Sequence, residues 1–242
     1  MKKFVMLDSH TLPDADFHQE MEILKAAGIE CVLASCKSRE EVIAQAADAE
    51  YLGCNYYRID EALLKDLPHV KVIVRYGIGY DVVNVDDCTK RGILLCNLPT
   101  YCLEDVAIHA MALILDISRK TTLFDREIRE GRWNVGYGYE MHRLSGRTLG
   151  LVGFGNIAKK LCVYAKSFGM NVVISDPFIS KEKADEFGVK AVSLDELLEN
   201  SDVISLHCPL NDTTRHLINK NSLKKVKKGA LLVNTSRGGL IC

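Results

Sequence analysis

The sequence lacks the long hydrophobic segment, the export signal and the one-sided charge that would direct a protein to a membrane or to nucleic acid. Its longest apolar run, VAIHAMALIL at 106–115, lies between two aspartates and falls well short of the roughly 20 residues that span a bilayer. The first ten residues, MKKFVMLDSH, contain too short an apolar stretch for a signal peptide. Basic and acidic residues number 31 and 32, so the net charge of -1 favours neither nucleic acid nor an anionic membrane as a partner.

The nine cysteines lack the paired spacing of a metal site or of a disulfide framework. Their number is odd, no CxxC pair occurs, and no export signal precedes them. Reduced cysteines of this kind act as small buried residues in cytosolic proteins, so we expect a cytoplasmic protein without a bound metal. The densest basic cluster, KKVKK at 224–228, is typical of the solvated last turn of a helix rather than of a phosphate site.

Short apolar runs alternate with helix-like segments along the 242 residues, of which 48% are hydrophobic. Such alternation is typical of βαβ units and predicts parallel sheets. A long apolar helix and a polar one interrupt the alternation after Pro99, so two domains are predicted, at 1–99 and 100–242. The predicted fold class is therefore α/β, with two doubly wound parallel sheets. The segment 219–229 is predicted to form the last helix.

A glycine-rich turn in the second domain carries the clearest chemical signal. GLVGFGNIA supplies the pattern G-x-G-x-x-A in Gly153, Gly155 and Ala158, after a predicted strand and at the start of a helix. The first glycine permits a tight turn, the second lets a pyrophosphate approach the helix N-terminus, and the small third residue lets the helix pack on the sheet. Asp176 follows about 20 residues later, where a carboxylate hydrogen-bonds the adenosine ribose. Because an acid repels the extra phosphate of NADP and no arginine follows, NAD is favoured as the cofactor.

Several segments, by their order and spacing, resemble the D-isomer-specific 2-hydroxyacid dehydrogenases. That family includes lactate, glycerate, formate and phosphoglycerate dehydrogenases and the C-terminal-binding-protein corepressors. The resemblance extends from the first strand to Cys242. It rests on RYGIGYD (75–81), GILLCNLPTYCLEDVA (92–107), GRTLGLVGFGNIA (146–158), SDP (175–177), LHCPLNDTTRHLI (206–218) and NTSRGG (234–239).

The resemblance implies a flavodoxin-like substrate domain followed by a Rossmann domain that binds NAD. It assigns a substrate carboxylate to backbone N–H groups of Gly77, Ile78 and Gly79, where glycines allow close approach. It also assigns Arg237 a catalytic role, in which the guanidinium binds the carboxylate of a 2-oxo acid and polarises the carbonyl during hydride transfer. The cofactor contacts that it implies are Ile78, Gly153, Gly155, Asn156, Ile157, Asp176, Cys208, Pro209, Thr214, Thr235, Ser236 and Arg237.

The resemblance also implies groups that this sequence does not contain. The family's proton donor is a histidine stabilised by a glutamate, and both follow the arginine, whereas only five residues follow Arg237. We expect His207 near the cofactor loop and His109 in the core of the apolar helix, so neither replaces that donor. We therefore expect a fragment of a longer dehydrogenase, inactive by itself, whose incomplete Rossmann domain exposes an apolar face on its last strand.

The main functional expectation is an NAD-dependent oxidoreductase that interconverts a small D-2-hydroxy acid and its 2-oxo acid, as a homodimer through the helix at 101–118. An alternative is an NAD-sensing interaction protein of the C-terminal-binding-protein type, in which the dinucleotide shifts an association equilibrium. A third interpretation is an NAD binder without catalytic activity. Ile108 stands where the family has an acidic residue, so one polar contact of the family is not expected here.

Overall fold

A computed structural model describes residues 2–133 and 140–242 of the chain. The chain divides into two compact units, unit 1 (Met1–Tyr101) and unit 2 (Cys102–Cys242), and each has its own five-stranded parallel sheet. The predicted α/β class with two doubly wound sheets is confirmed. Within the two described ranges, no helix has the length and apolar character needed to cross a membrane.

Unit 1 has the strand order β2-β1-β3-β4-β5, with all neighbours parallel, which is the flavodoxin-like order. Because the strands are parallel, the loops after β1, β3 and β4 meet at one edge of the sheet. In chain order, the elements are β1 (Lys2–Met6), α1 (His18–Ala26), β2 (Ile29–Leu33), α2 (Arg39–Ala46), β3 (Tyr51–Cys54), α3 (Glu61–Asp66), β4 (Val72–Arg75), α4 (Val85–Lys90) and β5 (Leu94–Asn97).

The core of unit 1 explains its apolar runs. A strand that is buried on both faces is apolar at nearly every position, and the central strands of this sheet bury such residues completely. Examples are Val5, Leu52 and Ile73. Three of the covering helices begin at side chains that accept a hydrogen bond from the N–H three residues later, which fixes where each helix starts. These residues are Ser38, Asp60 and Asn84.

Unit 2 begins with two consecutive helices and continues as a second parallel sheet of order β10-β9-β6-β7-β8. If β6 to β10 are numbered 1 to 5 and the sheet is read from β8 to β10, this is the Rossmann order 3-2-1-4-5. The strand order reverses between β6 and β9. The elements are α5 (Leu103–Arg119), α6 (Thr121–Arg129), β6 (Thr148–Val152), α7 (Asn156–Ser167), β7 (Asn171–Ser175), α8 (Lys181–Glu186), β8 (Lys190–Ala191), α9 (Leu194–Asn200), β9 (Val203–Leu206) and β10 (Leu231–Asn234).

The long helix α5 packs on α7 and on β10 through one apolar stripe. Ala107, Ala110, Met111 and Ile114 are buried, and they recur at the three- and four-residue spacing of a single helix face. The apolar run that looked too short to span a membrane is therefore half of an ordinary amphipathic interface within unit 2.

The helix predicted at 219–229 is wrong, because only a 3-10 turn forms there, at Ser222–Lys225. The Asn219 side chain accepts hydrogen bonds from the N–H groups of Asn221 and Ser222. Such side-chain bonds satisfy the backbone locally and compete with the regular bonds of an α-helix.

The strand β10 lies at one edge of the unit 2 sheet and carries three apolar residues. Val233 is buried, and Leu231 and Leu232 are half-buried against the cores on the two faces of the sheet. The prediction that this strand exposes an apolar face is therefore wrong.

Candidate functional site

The turn between β6 and α7 holds two glycines in different surroundings. Gly153 has a φ of +87°, and a Cβ there would lie 2.8 Å from the backbone nitrogen of Cys208 and 2.9 Å from the carbonyl group of His207. Gly155 is the N-cap of α7, has a φ of -74°, and would have no heavy atom within 4 Å of an added Cβ. The neighbouring loop therefore requires a glycine at 153, whereas Gly155 leaves open space at the helix N-terminus.

Asn156 and Ile157 form the first turn of α7 beside this open space. Asn156 is exposed, Ile157 is half-buried, and Ala158 is fully buried, so a small residue does lie where the helix packs closest. No side chain caps this helix. Its first N–H groups and the positive end of its dipole are thus available to a phosphate.

Asp176, directly after β7, closes the turn from the neighbouring strand. Its Oδ2 accepts a hydrogen bond from the Phe154 N–H at 2.7 Å, and its Oδ1 accepts one from the Phe178 N–H at 2.8 Å. Each carboxylate oxygen keeps a lone pair for a further donor, so the side chain can still receive a ribose hydroxyl. Besides the ribose role predicted for it, Asp176 therefore fixes the shape of the glycine turn.

His207 and Cys208 follow β9, on the other side of the strand reversal. Burial lowers the pKa of His207 from 6.5 to about 4, and its Nε2 lies 2.8 Å from the Ser205 Oγ. Burial also raises the pKa of the half-buried Cys208 thiol, and the negative charge of the nearby Asp176 carboxylate raises it further. Both side chains are therefore uncharged at neutral pH, and His207 is poorly suited to act as an acid.

Thr214 braces the loop that starts with Cys208 and Pro209. Its hydroxyl donates to the Pro209 carbonyl at 2.6 Å and accepts from the Asn211 N–H at 2.9 Å. The Asn211 side chain accepts in turn from the N–H groups of Thr213 and Thr214, which forms an Asx turn. The Thr214 hydroxyl is thus engaged within the loop, whereas Pro209 is exposed, as are residues 211–213.

Asn234, the last residue of β10, shapes the segment that contains Arg237. Its Oδ1 accepts from the Ser236 N–H at 3.0 Å, and its Nδ2 donates to the Arg237 carbonyl at 2.9 Å. The Ser236 Oγ donates to the Leu206 carbonyl at the end of β9, and Arg237, which is half-buried, donates from Nη1 to the Ser236 carbonyl. Asn234 is absent from the predicted site residues, although an asparagine that ends a strand is an Asx-turn signal.

A cleft of about 620 Å³ lies in unit 2 between α5 and this segment. Thr235 lines it, and the Thr235 Oγ1 is buried and has no hydrogen-bond partner in the described part of the chain. A buried hydroxyl without a partner is uncommon in folded proteins and calls for an explanation. The residues that line the cleft are Asp105, Val106, His109, Leu113, Asn234, Thr235 and Ser236.

His109 is exposed and lines this cleft, so the prediction that it lies in a helix core is wrong. The buried stripe of α5 includes Ala107 and Ala110, and the 100° turn between successive helical residues places His109 off that stripe. A histidine within a uniformly apolar run gives no signal of the face it occupies.

The loop after β4 in unit 1 is the predicted carboxylate site. The Gly77 N–H donates to the Arg75 carbonyl at 2.9 Å, so it is already engaged. The Asn97 Nδ2 donates to the Ile78 carbonyl at 2.7 Å, which holds the loop against β5. Within the two described ranges, the N–H groups of Ile78 and Gly79 donate to no other group. Two of the three predicted N–H groups are thus free to bind an anion.

Asp8, two residues after the end of β1, anchors another loop at the same edge of the unit 1 sheet. Its buried carboxylate accepts hydrogen bonds of 2.6 to 2.8 Å from three successive N–H groups, those of Asn55, Tyr56 and Tyr57. Asp8 is absent from the predicted site residues because the three donors lie almost 50 positions away along the chain.

The residues of unit 2 fit a dinucleotide. The open space at Gly155 and the uncapped start of α7 suit a pyrophosphate, and the Asp176 carboxylate lies after the next strand, where a ribose is bound in this fold. Residues 2–133 and 140–242 contain no group of three or more His, Cys, Asp or Glu side chains that could hold a metal ion.

Residues 111–242 match the family model for "D-isomer specific 2-hydroxyacid dehydrogenase, NAD binding domain". A glyoxylate reductase from Korarchaeum cryptofilum is 39% identical over 189 residues, which cover 76% of this chain and 56% of the relative. A hydroxypyruvate reductase from Blautia hydrogenotrophica is 32% identical over 247 residues, which cover 99% of this chain and 76% of the relative.

Among solved structures, the D-lactate dehydrogenase from Aquifex aeolicus, complexed with NAD and lactic acid, matches with a TM-score of 0.87 at 30% identity. The match covers 99% of this chain and 70% of that one. Several curated relatives are considerably longer, and the chain spans 42% to 57% of their length. Unit 2 is an NAD-binding domain, and the chain belongs to the family of D-isomer-specific 2-hydroxyacid dehydrogenases.

Proposed function

We propose that the protein is an NAD-dependent oxidoreductase that interconverts a small D-2-hydroxy acid and its 2-oxo acid. The observation that carries the proposal is the arrangement of unit 2, in which the glycine turn after β6 and the Arg237 segment after β10 leave the same edge of the sheet. Reduction of a carbonyl needs a bound cofactor and a positive charge for the developing oxyanion, and this edge offers residues for both. The names of the relatives, glyoxylate reductase and hydroxypyruvate reductase, support a small 2-oxo acid as the substrate.

In this proposal the residues at the edge of unit 2 hold NAD, which supplies the hydride when it is bound in its reduced form. Gly153 and Gly155 shape the phosphate site, and Asp176 holds the ribose. The first turn of α7 faces the pyrophosphate, the loop after β9 lines the adenosine side, and the segment after β10 lies beside the nicotinamide. The residues in these three groups are Asn156 and Ile157, then Cys208, Pro209 and Thr214, then Thr235 and Ser236.

Arg237 and the unit 1 loop act on the substrate. A guanidinium forms two parallel hydrogen bonds with a carboxylate and stays charged at any physiological pH, so Arg237 can bind the acid and stabilise negative charge on its carbonyl oxygen. The Asn234 side chain holds the backbone of this arginine, which limits its freedom before substrate binds. In unit 1, the N–H groups of Ile78 and Gly79 receive a substrate carboxylate, and Ile78 also contacts the cofactor.

Turnover of NADH with a panel of small 2-oxo acids tests the proposal. Arg237→Ala should lower kcat/KM at least about 100-fold, and Arg237→Lys should lower it less, because lysine keeps the charge but loses the two-pronged geometry. The matched control is Arg129→Ala, which removes an exposed arginine of α6 that forms an ion pair with Asp125, and it should leave turnover unchanged. Equal turnover in Arg237→Ala and the unmodified protein would refute the assignment.

We also propose a homodimer that forms through α5 in the cytoplasm. The segment from α5 to Trp133, four residues after the end of α6, exposes apolar side chains, with Ile108, Ile128 and Trp133 at 53%, 55% and 77% exposure, and such residues mark interaction surfaces. All nine cysteines are free thiols, which suits a reducing compartment. Sedimentation should show a dimer that Ile108→Glu dissociates. An NAD-dependent change in association together with no turnover across the panel would instead support an NAD-sensing interaction protein.

A further inference from the structure

A second cavity of unit 2, of about 310 Å³, lies at the edge of the sheet where the strands begin. Residues at the start of three strands line it, namely Arg147 before β6, Asp202 and Val203 at β9, and Leu231 at β10. Because the strands are parallel, this edge is opposite to the one from which the glycine turn and the Arg237 segment leave. The cavity is therefore separate from the cofactor site, and its volume suits a small metabolite.

The end of α5 contributes a buried hydroxyl to this cavity. Ser118 lines the cavity and is only 7% exposed, and its Oγ is buried without a hydrogen-bond partner in the described part of the chain. Buried hydroxyls are normally paired, and within a helix alanine is more favourable than serine. The Ser118 hydroxyl therefore costs stability unless a group in the cavity pairs with it.

Lys120, the residue between α5 and α6, brings a positive charge to the cavity. It lines the cavity, and its ammonium group forms no hydrogen bond or ion pair within residues 2–133 and 140–242. The neighbouring Asp116 carboxylate instead accepts hydrogen bonds from Thr121 and Thr122. Lys120 also has a φ of +57° at a helix end, where glycine is the usual residue. The fold therefore does not require a lysine at this position.

The acidic residue among the strand ends is already neutralised. Asp202 forms ion pairs with Arg147 at 3.0 Å and with Lys227 at 2.8 Å, so two positive charges surround one negative charge. Lys227 belongs to the basic cluster KKVKK at 224–228, and Gly229 directly after that cluster lines the cavity. The strand side of the cavity is thus positive.

The other acidic residue on the lining, Glu140, does not reverse this balance. It pairs with His142 at 2.9 Å, and its side chain is 82% exposed, so solvent screens its charge. Positive groups therefore dominate the lining, and an anion is the ligand that they favour.

We infer that this cavity is a second ligand site, which binds a small oxyanion through a carboxylate or a phosphate group. The Lys120 ammonium group supplies the unpaired charge, and the Ser118 hydroxyl supplies a hydrogen bond. Arg147 has five N–H donors and gives one from Nη1 to Asp202, so its guanidinium can serve the anion as well. The inference goes beyond the proposed function and does not depend on turnover of a 2-oxo acid.

Substitutions at the end of α5 separate ligand binding from folding. Lys120→Met removes the charge, Lys120→Arg keeps it, and Ser118→Ala removes the hydroxyl. The matched control is Lys25→Met, which makes the same charge change at an exposed residue of α1 in unit 1. The melting temperature of each full chain is measured with saturating NADH, so that the cofactor site is filled. Inorganic phosphate and malonate, a small dicarboxylate, are added separately at constant ionic strength.

At least one of the two anions should raise the melting temperature of the unmodified protein, of Lys25→Met and of Lys120→Arg. Lys120→Met should bind that anion roughly 10-fold or more weakly, and Ser118→Ala about 2- to 10-fold more weakly, as expected for a charged and a neutral hydrogen bond. Without the anion, Lys120→Met and Ser118→Ala should melt no lower than the unmodified protein. A response to phosphate alone or to malonate alone identifies which oxyanion the cavity takes, and responses to both show that it accepts either.

Three outcomes would overturn the second site. The first is no response of the unmodified protein to either anion. The second is an equal response in Lys120→Met and Lys25→Met, because the anion then binds elsewhere or acts through the solvent. The third is a lower melting temperature of Ser118→Ala together with unchanged anion binding, because the hydroxyl then serves the fold.

Discussion

The Asp176 carboxylate accepts a hydrogen bond from the Phe154 N–H at 2.7 Å and so joins the end of β7 to the glycine turn after β6. Phe154 lies between the two glycines of that turn. Its ring is buried and packs edge-on against the Phe187 ring, with 5.3 Å between the two ring centroids. Asp176 thus fixes the backbone of Phe154, and Phe187 fixes its side chain. The acid that we assign to the ribose therefore also holds the phosphate turn, so the two halves of the cofactor site are coupled.

This coupling predicts different results for two substitutions of Asp176. Asp176→Asn keeps an acceptor for the Phe154 N–H and removes the charge that repels a 2′-phosphate, so it should reduce the preference for NADH over NADPH. Asp176→Ala removes the acceptor as well and should weaken NADH binding by about 1.5 to 3 kcal/mol, or roughly 10- to 150-fold. Fluorescence titrations with both dinucleotides measure the constants. An unchanged NADH to NADPH ratio in Asp176→Asn would contradict the ribose role.

The two glycines of the turn should respond differently to alanine. Gly153→Ala places a methyl group against the backbone of the His207 loop at a φ of +87°, so we expect a loss of about 2 kcal/mol or more in the free energy of unfolding. Gly155→Ala adds its methyl group in open space at a permitted φ, so stability should be unchanged while NADH binding weakens. Denaturant unfolding and NADH titration of both variants check this. Full NADH affinity in Gly155→Ala would argue against a phosphate at that helix.

Much of the fold could be predicted because it depends on local patterns. The apolar runs of the strands, the spacing of apolar residues in the helices and the glycine turn each involve residues that are close in the sequence. These patterns predicted both parallel sheets and the start of α7. The failed predictions have specific physical causes. At 219–229, Asn219 binds nearby N–H groups in place of helical bonds, and in the apolar run of α5 nothing marks the face on which His109 lies.

The remaining site features depend on contacts that span long distances in the sequence. The bonds from Asp8 to the 55–57 loop and from Asp176 to Phe154 arise only when parallel strands bring their ends together. Sequence patterns indicated where these loops lie, but the loops' internal bonds determine which groups stay free for a ligand.

The neutral state of His207 makes stability depend on pH. Its pKa is 6.5 when unperturbed and about 4 in the folded chain, so between these values the folded state binds fewer protons than the unfolded state. The free energy of unfolding should therefore fall as pH drops below 6.5 and level off below 4, with a loss of about 2 kcal/mol between neutrality and pH 4.5. Denaturant unfolding over this range should show a shallower fall for His207→Gln. Parallel curves for the two proteins would show that another group is responsible.

Thr235 has a buried hydroxyl that no described group satisfies, at the cleft that we assign to the nicotinamide side of the cofactor. Thr235→Val keeps the shape of the side chain and removes the hydroxyl. Without cofactor, this variant should be as stable as the unmodified protein or more stable by up to about 1 kcal/mol, because an unsatisfied polar group is lost. With NADH it should bind several-fold more weakly, whereas Thr235→Ser, which keeps the hydroxyl, should retain most of the affinity. Unfolding and NADH titration of both variants separate the two effects. If Thr235→Val were less stable and bound NADH normally, the hydroxyl would serve the fold, and its place in the cofactor site would have to be given up.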